Sequence, residues 1–160
     1  MGAEVQVRKF VICIASLTLL AATPTRTADP MQLMSFMIGK WTCSSTSNGK
    51  TQTYTALWSY TLQNTWLHQT DMWQGGGDEA MLTYVAPNRE WRWVATESSG
   101  DITIFRAPDT GVAHIVYRSV YPDGTMSETY DRISPAKYTT HFAQTVKGKT
   151  TRVTDVCTKN

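Results

Sequence analysis

Cysteine and histidine are scarce in this sequence, and the few that occur form no recognised ligand or catalytic motif. The 160 residues include three cysteines and three histidines. Cys43 and Cys157 have no Cys-x-x-Cys or Cys-x-His neighbour, and His68, His114 and His141 are too far apart for a His-x-x-x-His pair. Gly-x-Ser-x-Gly, a phosphate-binding loop and His-Glu-x-x-His are also missing. The sequence therefore predicts neither a metal site nor a bound cofactor.

An excess of charge of one sign is lacking too. Residues 29–160 contain 12 basic and 12 acidic residues, so the formal charge of +2 comes from the first 28 positions. No Lys or Arg cluster is present, and such a cluster is the signature of a nucleic-acid-binding surface or of a polybasic membrane patch. We expect no nucleic acid among the partners of this protein.

Only one long apolar run occurs, FVICIASLTLLAA, close to the start of the chain. It follows Arg8 and Lys9 and precedes the polar stretch TPTRTADP, an arrangement typical of a secretory signal peptide. The run is shorter than the roughly 20 apolar residues of a membrane-spanning helix. We interpret residues 1–28 as a signal peptide that is removed, and residues 29–160 as one exported domain, periplasmic or secreted, with no membrane span.

Short runs rich in Thr, Tyr, Trp and Val fill the rest of the sequence, with a turn signal every eight to twelve residues. Asn-Gly and Pro-Asp-Gly favour turns because Gly and Asn tolerate positive φ. Ten such runs follow one another between Gly39 and Lys159, without a long helical pattern among them. The pattern predicts an all-β, up-and-down antiparallel sheet of about ten strands.

The two cysteines of this domain, Cys43 and Cys157, lie in its first and last runs. We interpret them as a structural disulfide, with a metal site or a reactive thiol as the alternatives. A bond between them makes the first and last strands neighbours, which closes the sheet into a barrel without edges. If those strands are antiparallel, Trp41 lies opposite Lys159, where an ammonium group can pack on the indole. We predict that Trp41 and Lys159 form a structural latch.

One stretch, DPMQLMSFMIG, has a helical pattern. Asp29 is a suitable N-cap, a proline follows at the first helical position, and Gly39 can end the helix. Leu33, Phe36 and Met37 have the spacing of one helical face. We predict a short N-terminal helix that plugs one end of the barrel.

Together these features resemble the calycins, which include lipocalins, fatty-acid-binding proteins, avidins and nitrobindin-like barrels. Calycins share a short helical turn, a Gly-x-Trp on the first strand, and a basic side chain from the last strand on that Trp. Gly39 and Trp41 match this pattern, with Lys159 or Arg152 as the basic partner. The stretches LMSFMIGKW, YPDGT and CTK are most similar to a lipocalin-like or nitrobindin-like group of small secreted bacterial barrels of unassigned function. The resemblance implies a calycin-like β-barrel over residues 29–160.

Tryptophan is abundant, with six in the chain. One face of the second run carries Tyr54, Trp58 and Tyr60, and one face of the fifth carries Trp91 and Trp93. Such rings form either a packed core or the wall of a ligand cavity, where their N–H and O–H groups orient the ligand. We predict a binding protein that holds a small, mainly apolar or amphipathic molecule against these five residues.

Two alternatives use the same barrel. An enzyme of isomerase, cyclase or hydrolase type would need inward carboxylates, and the sequence does not show which of its scattered acidic residues face inward. Binding is therefore favoured over catalysis.

The resemblance to nitrobindin-like barrels implies a second alternative, haem held through His141 on the ninth run. If the ligand carries a carboxylate, an arginine that faces inward could bind it, and the candidates are Arg106, Arg118 and Arg132.

Overall fold

Ten antiparallel strands form one closed sheet in the computed structural model, which describes residues 29–160. The predicted signal peptide, residues 1–28, lies outside the described residues. Each strand pairs with its neighbours in sequence, and the first strand also pairs with the last, so the predicted barrel is confirmed. The strands are β1 (Gly39–Ser47), β2 (Lys50–Thr61), β3 (Trp66–Trp73), β4 (Gly76–Val85), β5 (Glu90–Glu97), β6 (Ile102–Pro108), β7 (His114–Tyr121), β8 (Met126–Ser134), β9 (Lys137–Val146) and β10 (Lys149–Lys159).

The seam between β1 and β10 holds the disulfide. Cys43 lies opposite Cys157 and Trp41 lies opposite Lys159 in the antiparallel register. The two cysteines are bonded, and both are fully buried. Lys159 Nζ lies 5.4 Å from the centroid of the Trp41 ring and donates a hydrogen bond to the Phe36 carbonyl at 2.9 Å. The seam is thus fixed both covalently and by a cation–π contact.

The N-terminal plug consists of a short helix, α1 (Pro30–Leu33), followed by a 3-10 turn (Met34–Met37). Asp29 caps α1, because its Oδ1 accepts a hydrogen bond from the Met31 backbone N–H at 3.0 Å. The predicted short helix is confirmed, although its second half is the tighter 3-10 form. No helix in the described part of the chain is long and apolar enough to cross a membrane.

The buried face of the plug is made of methionines. Met31, Met34 and Met37 are 6%, 1% and 1% exposed. Their spacing of three residues places them on one side of the plug, and within the 3-10 turn side chains at i and i+3 eclipse. Leu33 was predicted on this face but is 45% exposed, since it lies in α1 one position before Met34 and off the line of the methionines. Phe36 is half-buried against the core.

Two aromatic side chains fasten the plug to the barrel. Trp41 Nε1 donates a hydrogen bond to the Met37 carbonyl at 2.7 Å, and Tyr60 Oη donates to the Met31 carbonyl at 2.8 Å. The Met37 carbonyl ends the 3-10 turn, where backbone acceptors lack partners within the helix. The Met31 carbonyl also accepts from the Met34 N–H. The plug is thereby held over the barrel end at which β1 begins.

The closely packed core lies at the plug end. Trp41, Leu67, Trp91 and Ile115 are fully buried, and each lies within three positions of the start of a strand that begins at this end. Toward the other end, the same inward faces carry polar residues. The fold therefore places a packed apolar floor beneath a more polar interior.

Candidate ligand-binding cavity

The barrel encloses a cavity of about 360 Å³. It extends from Met34 and Met37 of the plug to Gln52 and Glu97, which lie near the opposite end of the barrel and are exposed. Small-molecule sites commonly measure about 300–1,000 Å³, so this cavity falls at the small end of that range.

The alternation of side chains along each strand determines what lines the cavity. On β3, Leu67, Gln69, Asp71 and Trp73 share the inward face, with Leu67 in the packed floor and the other three at the cavity wall. Other strands show the same period of two, for example Thr103 and Phe105 on β6, and Met126, Glu128 and Tyr130 on β8. The wall is therefore apolar near the plug and mixed with carboxyl and amide groups above it.

Three of the five aromatic residues predicted to bind a ligand line the cavity: Tyr54, Trp58 and Trp93. Trp93 packs against Phe105, with ring centroids 5.4 Å apart, and edge-on against Tyr117 at 5.3 Å. These pairs hold the indole in a defined orientation. Residues of the second and fifth runs thus line the same cavity.

The other two predicted residues, Tyr60 and Trp91, lie outside the cavity wall. Tyr60 holds the plug through its hydroxyl group. Trp91 is fully buried and packs edge-on against Tyr84, with ring centroids 5.1 Å apart. Their strand faces are the same as those of the cavity residues, but both lie closer to the plug. The position along the barrel axis therefore decides which of the five predicted residues line the cavity.

Six carboxyl side chains line the cavity: Asp78, Glu79 and Glu97 from β4 and β5, and Asp71, Glu128 and Asp155 from β3, β8 and β10. Asp71 Oδ2 accepts a hydrogen bond from Gln69 Nε2 at 2.7 Å. Asp155 Oδ2 accepts from the Tyr54 hydroxyl at 3.1 Å and from Thr140 Oγ1 at 3.3 Å. A donor on the same strand therefore holds Asp71 in place, and donors from β2 and β9 hold Asp155.

Burial raises the pKa values of two of these carboxyl groups. It raises the pKa of Asp71 to about 7, against the hydrogen bond from Gln69, which lowers it, and with a further rise from Asp78 and Asp155. Burial also raises the pKa of Glu128 to about 8, and the nearby Asp155 adds to that rise. Asp71 and Glu128 are therefore able to gain or lose a proton near neutral pH.

Several polar atoms at the cavity wall have no hydrogen-bond partner within residues 29–160. Three are acceptors: Asp71 Oδ1, Asp155 Oδ1 and Gln69 Oε1. Two are donors: Trp58 Nε1 and Trp93 Nε1. Buried polar groups in folded proteins almost always have a partner, so a cluster of exceptions at one cavity is characteristic of a place where something binds.

No lysine, arginine or histidine of the described residues lines the cavity. Arg106 and Arg118 are exposed and lie opposite each other on the outer face of β6 and β7. Arg132 packs over the Phe36 ring, with its guanidinium carbon 4.0 Å from the ring centroid. None of the arginines considered for a ligand carboxylate reaches the interior, and the interior is acidic instead.

The placement of His141 corrects the haem alternative. Its side chain is exposed on the outer face of β9, where Nδ1 lies 3.1 Å from Thr154 Oγ1. The residues on either side, Thr140 and Phe142, line the cavity. Because His141 points away from the interior, it cannot ligate an iron atom held there.

The fold is consistent with a calycin-like barrel, since ten antiparallel strands close on themselves behind a short N-terminal plug. The chain matches no protein-family model and no curated protein sequence.

Proposed function

We propose that the barrel is a binding protein that holds a small, mainly apolar molecule in its cavity. The observation that carries this proposal is the cavity of about 360 Å³ within an otherwise closely packed fold. Protein interiors contain few voids larger than a water molecule, so a cavity of this size is unusual unless it serves a ligand.

The aromatic wall supplies the affinity in this proposal. Trp58, Trp93, Phe105 and Tyr117 present apolar ring surface to the cavity. Burial of apolar surface contributes roughly 25 cal/mol per Å², and the polar atoms at the same wall select among ligands of similar size. Of the five residues predicted from the sequence, we propose that Tyr54, Trp58 and Trp93 contact the ligand. Tyr60 instead holds the plug, and Trp91 belongs to the packed floor.

Binding is tested with a neutral dye whose fluorescence rises in apolar surroundings, added to protein purified from expression of the full-length chain. We expect saturation at one dye per chain. Trp58→Ala should weaken dye binding, and Trp93→Leu should do the same where Trp58→Ala unfolds. Trp66→Ala is the control, because Trp66 does not line the cavity. Absence of saturable binding in the folded wild-type protein would contradict the proposal.

An enzyme in the same cavity is the second candidate. It is favoured by Asp71 and Glu128, which share the cavity and have pKa values of about 7 and about 8. Carboxyl groups raised to this range act as general acids or bases in enzymes. The test is to incubate the protein with the ligand that it binds and to recover that ligand for mass spectrometry. Chemical conversion of the ligand that stops in Asp71→Asn supports an enzyme, and an unchanged ligand supports binding alone.

We also propose that the domain is exported to the periplasm or the cell exterior and belongs with small lipocalin-like or nitrobindin-like barrels. The Cys43–Cys157 disulfide supports export, since disulfides persist in oxidising compartments. Gly39, Trp41 and Lys159 support the family proposal, because they occupy the calycin positions at the start of β1 and the end of β10.

A further inference from the structure

An apolar ligand alone does not explain the carboxyl groups in the cavity wall. Carboxyl groups cost free energy when buried, and each remains costly unless it is neutralised or paired. Asp71, Glu128 and Asp155 nevertheless come from three different strands to one interior. These carboxyl groups therefore point to a ligand feature that aromatic rings do not recognise.

We propose that the ligand is a small organic cation, an amphipathic amine whose protonated nitrogen lies among Asp71, Asp155 and Gln69. Its apolar body lies against the aromatic wall formed by Trp58 and Trp93. This inference rests on the proposed binding function and specifies the chemical class of the ligand.

Gln69 is the most informative residue for this assignment. Its side chain is 8% exposed and lines the cavity. Its amide nitrogen donates to Asp71 Oδ2 at 2.7 Å, which fixes the orientation of the amide group. Gln69 Oε1 is then left as an acceptor without a partner in residues 29–160. A buried acceptor held in this way requires a donor, and a protonated amine provides up to three.

The two aspartates add acceptors of the same kind. In each, one carboxyl oxygen accepts hydrogen bonds from the protein while the other, Oδ1, has no partner within the described part of the chain. Hydrogen bonds between an ammonium group and a carboxylate are stronger than those between neutral groups. With Gln69 Oε1, these oxygens of Asp71 and Asp155 form a set of three acceptors for a ligand nitrogen.

When they are ionised, Asp71, Glu128 and Asp155 have no cationic partner among the described residues. The salt bridges of those residues involve other carboxyl groups: His68–Glu79, Arg89–Asp109, Arg92–Glu90 and His114–Asp131. No group of three or more His, Cys, Asp or Glu within residues 29–160 is arranged to hold a metal ion. The geometry thus favours an organic cation, and three interior carboxyl groups disfavour a fatty acid or another anion.

The aromatic wall fits the same ligand. Aromatic ring faces attract organic cations as well as apolar groups, and ammonium ligands are commonly held by a combination of rings and carboxylates. Trp93 Nε1 is a donor without a partner in the described residues. A hydroxyl or carbonyl oxygen on the ligand body would satisfy it.

The test compares three probes of similar shape by calorimetry: 2-phenylethylamine, 2-phenylethanol and 3-phenylpropionate, which are positive, neutral and negative at pH 8. We expect the amine to bind at least about tenfold more tightly than the alcohol, which corresponds to about 1.4 kcal/mol. Asp71→Asn and Asp155→Asn should each abolish this preference. Asp123→Asn is the matched control, because it removes one exposed carboxylate from a turn.

The outcomes separate this inference from the binding function. If the alcohol or the carboxylate binds as well as the amine, or if the neutral dye binds and the amine does not displace it, the cation assignment is overturned and the binding function stands. If the folded protein binds neither the dye nor any probe, both are overturned. Preserved amine preference in Asp71→Asn and Asp155→Asn also overturns the assignment.

Discussion

Lys159 Nζ lies 5.4 Å from the centroid of the Trp41 ring and 2.9 Å from the Phe36 carbonyl oxygen. One ammonium group therefore joins the last strand, the first strand and the plug. Lys159→Met keeps the apolar stem but removes both contacts, and we expect it to lower the free energy of unfolding by about 1–3 kcal/mol. Urea unfolding followed by tryptophan fluorescence measures this. Lys149→Met, at the exposed start of β10, is the control, and equal midpoints for the two variants would contradict the latch.

The disulfide should contribute more to stability than any single contact. Cys43 and Cys157 are separated by 114 positions, and closing a loop of that length stabilises a fold by roughly 4–5 kcal/mol in the chain-entropy model. We expect the double variant Cys43→Ser/Cys157→Ser to melt well below the oxidised wild type. Reduced wild-type protein should melt close to the variant. An unchanged melting temperature under oxidising conditions would show that the bond does not stabilise the barrel.

The strands could be predicted because turn chemistry and alternation act locally. The cysteines then supplied the one long-range constraint, and the observed register of β1 and β10 follows from it. The glycines before Glu79 also contribute, because β4 begins among them at Gly76. A Cβ at Gly77 would lie 2.6 Å from the Asp71 carbonyl oxygen, so glycine allows close pairing of β3 and β4.

The acidic cluster was harder to predict, because alternation defines two faces without showing which one is inside. Asp155 had a usable signal, since it lies two positions from Cys157 and therefore shares the face of the buried disulfide. Asp71 had none. The strand from Trp66 to Trp73 mixes apolar and polar residues on both faces, so neither face stands out as the inner one.

The proposed signal peptide makes a direct prediction about mass. We expect the protein recovered from expression of the full-length chain in a bacterial host to lack about the first 28 residues and to lie in the periplasm or medium. Intact-mass spectrometry with N-terminal sequencing checks both the cleavage and its position. Recovery of the uncleaved chain in the cytoplasm would contradict export.

The buried carboxyl groups predict how stability depends on pH. The pKa of Asp71 rises from its ordinary value of 3.8 to about 7 in the folded protein, and that of Glu128 rises from 4.5 to about 8. Between these values the folded state binds more protons than the unfolded state, so stability falls as pH increases. The contribution of Asp71 is complete below pH 3.8 and lost above about 7, and that of Glu128 is lost above about 8. The slope is at most about 1.4 kcal/mol per pH unit for each group.

The measurement is the free energy of unfolding in urea from pH 4 to 9, in the wild type and in Asp71→Asn/Glu128→Gln. Other groups titrate over part of this range, so the difference between the two proteins is the informative quantity. The ionisable groups that interact most closely with these carboxyls, all retained in the variant, are Tyr54, Asp78, Tyr117, Tyr138 and Asp155. We expect the wild type to lose stability relative to the variant from about pH 4 to 8, because only the wild type must keep two buried carboxyls protonated. Parallel curves would mean that both carboxyls ionise at ordinary pH values and are hydrated inside the barrel, and an organic cation would then gain little from them.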